Sequence, residues 1–133
     1  MGLYVDNQVK FEGDEKLISE CCDFVKGDND FMVFDFTKII PPKGEIDWKK
    51  KHWGTPLNAD MPFREEENIY VFSTAWKTCS PVILALSKKF PALKITLSFE
   101  CVDFDYSGYK IYENGEITEE EFGDYEDYSF MEE

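Results

Sequence analysis

The stretch SPVILALSKKFPALKITLSFEC, residues 80–101, decides the fold because its apolar period changes halfway along. Val82, Ile83, Leu86 and Phe90 recur at helical spacing, so the first half is an amphipathic helix. Ser80-Pro81 predicts a hydroxyl cap with proline in the first helical position, where its missing N–H costs nothing. Lys88 and Lys89 suit the negative end of the helix, and Pro91 stops it. Leu93, Ile95, Leu97, Phe99 and Cys101 then alternate with Lys94, Thr96, Ser98 and Glu100. That period of two predicts a strand with one core face and one face that is wet or covered.

Working outward, the amino-terminal segment repeats the pairing of strand and helix. Val5–Phe11 (VDNQVKF) alternates as a strand, with Gly13-Asp14 closing it. Asp14 can accept from the free backbone N–H groups of a first turn. Leu17, Ile18, Cys21, Cys22 and Val25 share one helical face, and Gly27 is a natural stop. Asp30–Ile40 (DFMVFDFTKII), rich in aromatic and β-branched residues and ended by Pro41-Pro42, predicts a second strand. Asn68–Trp76 (NIYVFSTAW) predicts a third. Between them, residues 41–66 carry prolines at 41, 42, 56 and 62 and read as a long irregular connection. One short helical turn is expected there, over Trp48–Trp53.

Asn114-Gly115 inside YKIYENGEIT (109–118) signals a terminal hairpin, since both residues tolerate positive φ. The order is therefore β-α-β-β-α-β plus a carboxy-terminal β-hairpin. That predicts an α+β fold, a ferredoxin-like sandwich of an antiparallel sheet with two helices on one face. Residues 1–118 are expected to form this domain, and 119–133 an acidic aromatic tail.

Charge is unevenly spread. Residues 113–133 hold 10 acids and no base, out of 28 acids and 14 bases in the chain. An almost balanced body thus ends in a strongly negative segment. With 43% hydrophobic and 17% aromatic residues there is ample material for a core in 133 residues. Neither a signal-peptide pattern nor a myristoylation site opens the chain, and no apolar run approaches the ~20 residues of a membrane span. A cytoplasmic location is expected. The 4 cysteines show no CxxC spacing and there is a single histidine, so no metal or cofactor is expected and the thiols are read as small buried hydrophobes.

Two blocks, HWGTPLNAD (52–60) and FSTAWKTCSPVILALSKKFPAL (72–93), resemble the YubB-type ferredoxin-like family of plasmid and phage proteins. The matching positions are Trp53, Gly54, Thr55, Thr74, Ala75, Trp76, Pro81, Leu86, Ser87, Phe90, Pro91 and Leu93. Two departures stand out. Pro56-Leu57 occupies the place of a second tryptophan, and acids and tyrosines replace glycine-rich sequence after the fourth strand. The resemblance implies the fold and a mobile-element origin, and it carries no catalytic chemistry.

Three candidate sites follow. Glu119, Glu120, Glu121, Asp124, Glu126 and Asp127 alternate with Phe122, Tyr125 and Tyr128. Carboxylates that steer association, beside rings that supply buried area, suit docking on a basic protein surface. The spacing 122, 125, 128 would align three rings on one side of a helix. The expected partner is a host protein, with the basic channel of a CRISPR effector nuclease the leading case. Direct nucleic-acid binding and a membrane partner are not expected, while open sheet edges allow a homodimer.

The second candidate is Trp48, Lys49, Lys50, Lys51, His52 and Trp53, cations beside rings that could follow a nucleic-acid backbone. Its structural alternative is that both tryptophans anchor the connection on the core. The third is a small phosphoester- or nucleotide-processing enzyme built on the 41–63 segment, with His52 as general base. No nucleophile, P-loop or zinc-protease motif accompanies His52, so no catalytic residue is assigned.

Overall fold

A computed structural model describes residues 3–101, 103 and 106–123. Among the described residues six strands and four helices follow in the order β1 (Tyr4–Glu12), α1 (Glu15–Val25), α2 (Phe36–Ile39), α3 (Ile46–His52), β2 (Asp60–Glu66), β3 (Ile69–Ala75), α4 (Ser80–Lys89), β4 (Lys94–Cys101), β5 (Tyr106–Glu113) and β6 (Glu116–Phe122). The strands form one antiparallel sheet in the order β2-β3-β1-β4-β5-β6. Its first four members keep the ferredoxin-like arrangement, and the β5–β6 hairpin extends it beyond β4.

One face of the sheet supplies the core. Val5, Val9 and Phe11 of β1, Tyr70 and Phe72 of β3, Ile95, Leu97, Phe99 and Cys101 of β4 and Tyr112 of β5 are buried there. Cys21, Cys22 and Val25 of α1 and Val82, Ile83 and Leu86 of α4 belong to the same cluster. Asp14 caps α1 by accepting from the Leu17 N–H at 3.3 Å, as its position predicts. Asn114 and Gly115 take φ of 56° and 75°, the left-handed pair that a tight hairpin turn requires. All four cysteines are buried, and none is joined to another by a disulfide.

Two elements lie elsewhere than the sequence pattern indicates. Residues 30–40 are not a strand. Asn29 accepts from the Phe31 and Met32 N–H groups and Asp35 caps α2 through the Thr37 N–H, so side chains satisfy backbone groups that a ladder would use. The alternation there serves burial instead. Phe34 stacks on Phe72 at 5.0 Å, and Phe36 meets Trp53 at 5.6 Å edge-on. The strand that completes the ferredoxin order is β2, which lies inside the expected connection. Its residues are exposed but for Pro62, so no hydrophobic period betrays it, and charge plus proline mark an edge strand. The short turn at 48–53 is part of α3.

The start of α4 also differs. Cys79, not Ser80, is the N-cap residue and makes no side-chain cap bond. The Ser80 hydroxyl instead lies 2.6 Å from the Tyr112 hydroxyl on β5. The boundary at 118/119 falls within β6, so residues 119–122 belong to the sheet.

Candidate functional site

The Trp48–Trp53 segment spans most of α3 and its C-cap, with Trp53 buried and Trp48, Lys49 and His52 half-buried. Trp53 is 1% exposed and donates from Nε1 to the Ile40 carbonyl at 2.9 Å. His52 lies over the Trp48 ring at 4.4 Å, and its Nδ1 is 2.9 Å from the Trp48 carbonyl. The Lys49 ammonium stands 5.3 Å above the Trp53 ring. Lys50 and Lys51 are exposed. A buried indole has no free face for a base, and a ring covered by imidazole has at most one. Of the two readings the sequence offers here, burial favours the anchor at Trp53 and half-covers Trp48, Lys49 and His52, while Lys50 and Lys51 stay at the surface.

The two resembling blocks meet in space. Thr55 is buried, and its hydroxyl donates to the Ala75 carbonyl at 2.6 Å. A Cβ on Gly54 (φ 82°) would lie 2.7 Å from Pro81 Cδ and 3.0 Å from the Thr78 carbonyl, so only glycine lets the loop approach the start of α4. Asn7, buried on β1, donates to Thr74 Oγ1 at 2.9 Å and accepts from the Thr78 hydroxyl at 2.6 Å. Sequence reasoning missed Asn7. Its signal is a polar residue at a core-facing position between Val5 and Val9. Lys77 N–H returns to the Ala75 carbonyl at 2.8 Å, closing a three-residue turn with Trp76 at its apex. Trp76 holds φ of 72° and is 57% exposed, a strained backbone for a bulky side chain. The motif therefore builds a lock between loop and sheet.

Cys21 and Cys79 are not nucleophilic thiols at neutral pH. Burial pushes Cys21 and Cys79 up to about 12, with Cys22 adding to the effect at Cys21, so both stay protonated at neutral pH. Among the described residues no group of acids, cysteines or histidine could hold a metal ion. No helix among them is long and apolar enough to cross a membrane.

Opposite the helices, the other face of the sheet carries no helix among the described residues. Register sets its rows. Asp60, Ser73, Asp6, Glu100 and Ser107 lie side by side across five strands. Beside them run Phe63, Val71, Gln8, Ser98, Tyr109 and Glu121. The second row runs from apolar side chains at β2 and β3 to a carboxylate at β6, while the first sets carboxylates on β2, β1 and β4. A shallow concavity of about 740 Å³ lies over it, lined by Met61, Val71, Asp6, Glu100, Ser98 and Tyr109. Met61 is 84% exposed.

At the far end, Glu119, Glu120 and Glu121 are all exposed on edge strand β6. Glu119 and Glu121 both accept from the Tyr109 hydroxyl on the open face. The Glu119 contact, reinforced by Glu121, raises the phenol to about 12. Glu120 points to the other side, 3.8 Å from the Lys110 ammonium. The structure thus brings three predicted partner-binding acids onto one strand. Phe122 ends that strand, so the three-ring helix proposed from spacing does not include it. Asp124, Tyr125, Glu126, Asp127 and Tyr128 lie outside the described residues.

No curated protein and no solved structure matches the chain. Residues 45–133 match the family described as the ferredoxin-like domain in Api92-like protein. The matched span runs from α3 to the carboxyl end and leaves out β1, the strand that sits between β3 and β4. With its sheet order and its match over most of its length, the chain belongs to the family of the ferredoxin-like domain in Api92-like protein.

Proposed function

We propose that this chain is a non-catalytic acidic protein that binds a basic, nucleic-acid-binding surface of another protein. The observation that carries the reading is the exposed edge strand β6, where Glu119, Glu120 and Glu121 are held in a fixed register beside Tyr109. Carboxylates presented by a sheet lose little freedom on docking, and their summed field speeds encounter with a cationic partner. In its narrowest form the partner is a host defence nuclease, with a CRISPR effector the leading case because its guide-and-target channel is strongly basic. Mobile-element origin and action in the host cytoplasm belong to the same proposal.

The test is a salt series. Association of the full chain with a purified CRISPR effector should fall steeply between about 50 and 300 mM salt, as screening shortens the field. Replacing Glu119, Glu120 and Glu121 together by glutamine should flatten that dependence. An affinity indifferent to both salt and substitution removes the proposal. Any truncation used beside it should end after Gly123, because a cut at 118 strips most of β6.

A further inference from the structure

We infer that strand β6 accepts an extended, lysine- or arginine-rich segment of the partner as a seventh strand of the sheet. The inference rests on the reading above and adds the geometry of recognition. Among the described residues the sheet order leaves two edges, β2 and β6, and they are built differently. Strand β2 carries Pro62, which has no N–H to offer, beside Met61 at φ 49°, and its ladder with β3 shifts register twice. Such an edge is blunted against further pairing. Strand β6 has no proline, and beyond a single register shift between Ile117 and Glu119 it keeps an unbroken register from Glu119 to Phe122.

The parity of β6 shows which of its groups are offered. The Gly123 N–H donates inward to the Ser107 carbonyl. Main-chain groups alternate along a strand, so those of Glu121 also face β5, while those of Glu120 and Phe122 face out of the sheet. An added strand would bond to that outer pair.

Charge selects the occupant. Glu116, Glu119, Glu120 and Glu121 lie within the seven residues of β6. A second copy pairing through the same strand would set carboxylates opposite carboxylates, which opposes a homodimer at this edge. Polynucleotide is repelled in the same way. A strand with cations at alternate positions meets Glu119 and Glu121 on the open face, and the next residue in parity meets Glu120 on the other.

The experiment uses the full chain and three synthetic heptapeptides. One alternates lysine and valine, and the other two carry backbone N-methyl groups on either alternate set of residues. Whichever way the strand runs, one set must face β6. Fluorescence anisotropy titration should show the parent peptide binding and one N-methylated peptide weaker by about tenfold or more, the size expected for two lost hydrogen bonds. Amide exchange at Glu120 and Phe122 should slow when the parent is bound. Glu120→Pro, which removes an outward N–H, should bind more weakly than Glu120→Ala, which removes only the charge. The N-methylated peptides remain decisive even where Glu120→Pro fails to fold. Equal binding by all three peptides overturns strand addition and leaves the charge-based reading standing. Absence of binding by the parent peptide also overturns strand addition. Binding of the nuclease by the parent chain with an affinity indifferent to both salt and the glutamine substitutions is the separate result that ends the underlying reading.

Discussion

The loop around α3 and the edge strand β6 carry the two chemically loudest stretches of this chain, and the fold treats them in opposite ways. Residues 48–53 bring rings and cations, yet Trp53 is buried, His52 covers Trp48 and Lys49 sits on an indole face. Residues 119–121 bring carboxylates, and all three stay exposed. Desolvation explains the contrast. Indole loses little on leaving water, and one hydrogen bond to Ile40 satisfies its N–H. A run of carboxylates with only the Lys110 cation close by among the described residues has no such option and stays at the surface. Aromatic composition alone therefore does not mark a binding surface; its burial must be known first.

Mutations can break or sharpen this contrast. The largest effect should come from Trp53→Ala, which empties a site bounded by Phe36 and Trp48 and should cost about 3–5 kcal/mol in denaturant unfolding. A loss well under that range would mean that α3 is not an anchor. Thr55→Val leaves the Ala75 carbonyl without one of its two donors and should cost roughly 1–3 kcal/mol by the same measurement.

Trp76→Gly tests the outward tryptophan. It removes a half-exposed ring but relieves a positive φ, so unfolding free energy should move by no more than about 1 kcal/mol. A cost like that of Trp53→Ala would show that the ring packs against more than the described residues reveal.

Acid should weaken the α2 cap. Burial alone would raise Asp35, but hydrogen bonds from Asn58 and Thr37 outweigh it and hold the carboxyl below its ordinary 3.8. Because the folded value is the lower one, this stabilisation is present above pH 3.8 and is lost as pH falls through the folded value. Asp35→Asn should flatten that part of a stability-versus-pH curve. At the edge strand, replacing Glu119, Glu120 and Glu121 by glutamine should change stability by less than about 0.5 kcal/mol, the range of exposed substitutions. Thermal melts that fall well outside it would make the acids structural rather than interactive.

Much of the fold was legible from local pattern. The period change in residues 80–101, the Asp14 cap and the Asn114-Gly115 turn each report physics confined to a few neighbours, and each is found where expected apart from the α4 cap. Strand β2 was not legible because an edge strand has no buried face to impose alternation. Residues 30–40 misled for the converse reason: Phe34 and Phe36 alternate into the core from a turn and a short helix. At the candidate site, the acids of 119–121 were named from charge, while their strand register, the Tyr109 contacts and the open face beside them were not. Those depend on pairing between residues far apart in sequence.

The sequence by itself determined an α+β chain, its two longest helices, its terminal hairpin turn and its acidic carboxyl end, because period, caps and charge are local properties. Tertiary structure alone decided that Trp53 turns inward, that Asn7 ties β1 to Thr74 and Thr78, and that three glutamates stand on a strand at the sheet's edge among the described residues. Burial and register belong to contacts between distant segments, and no single segment carries them.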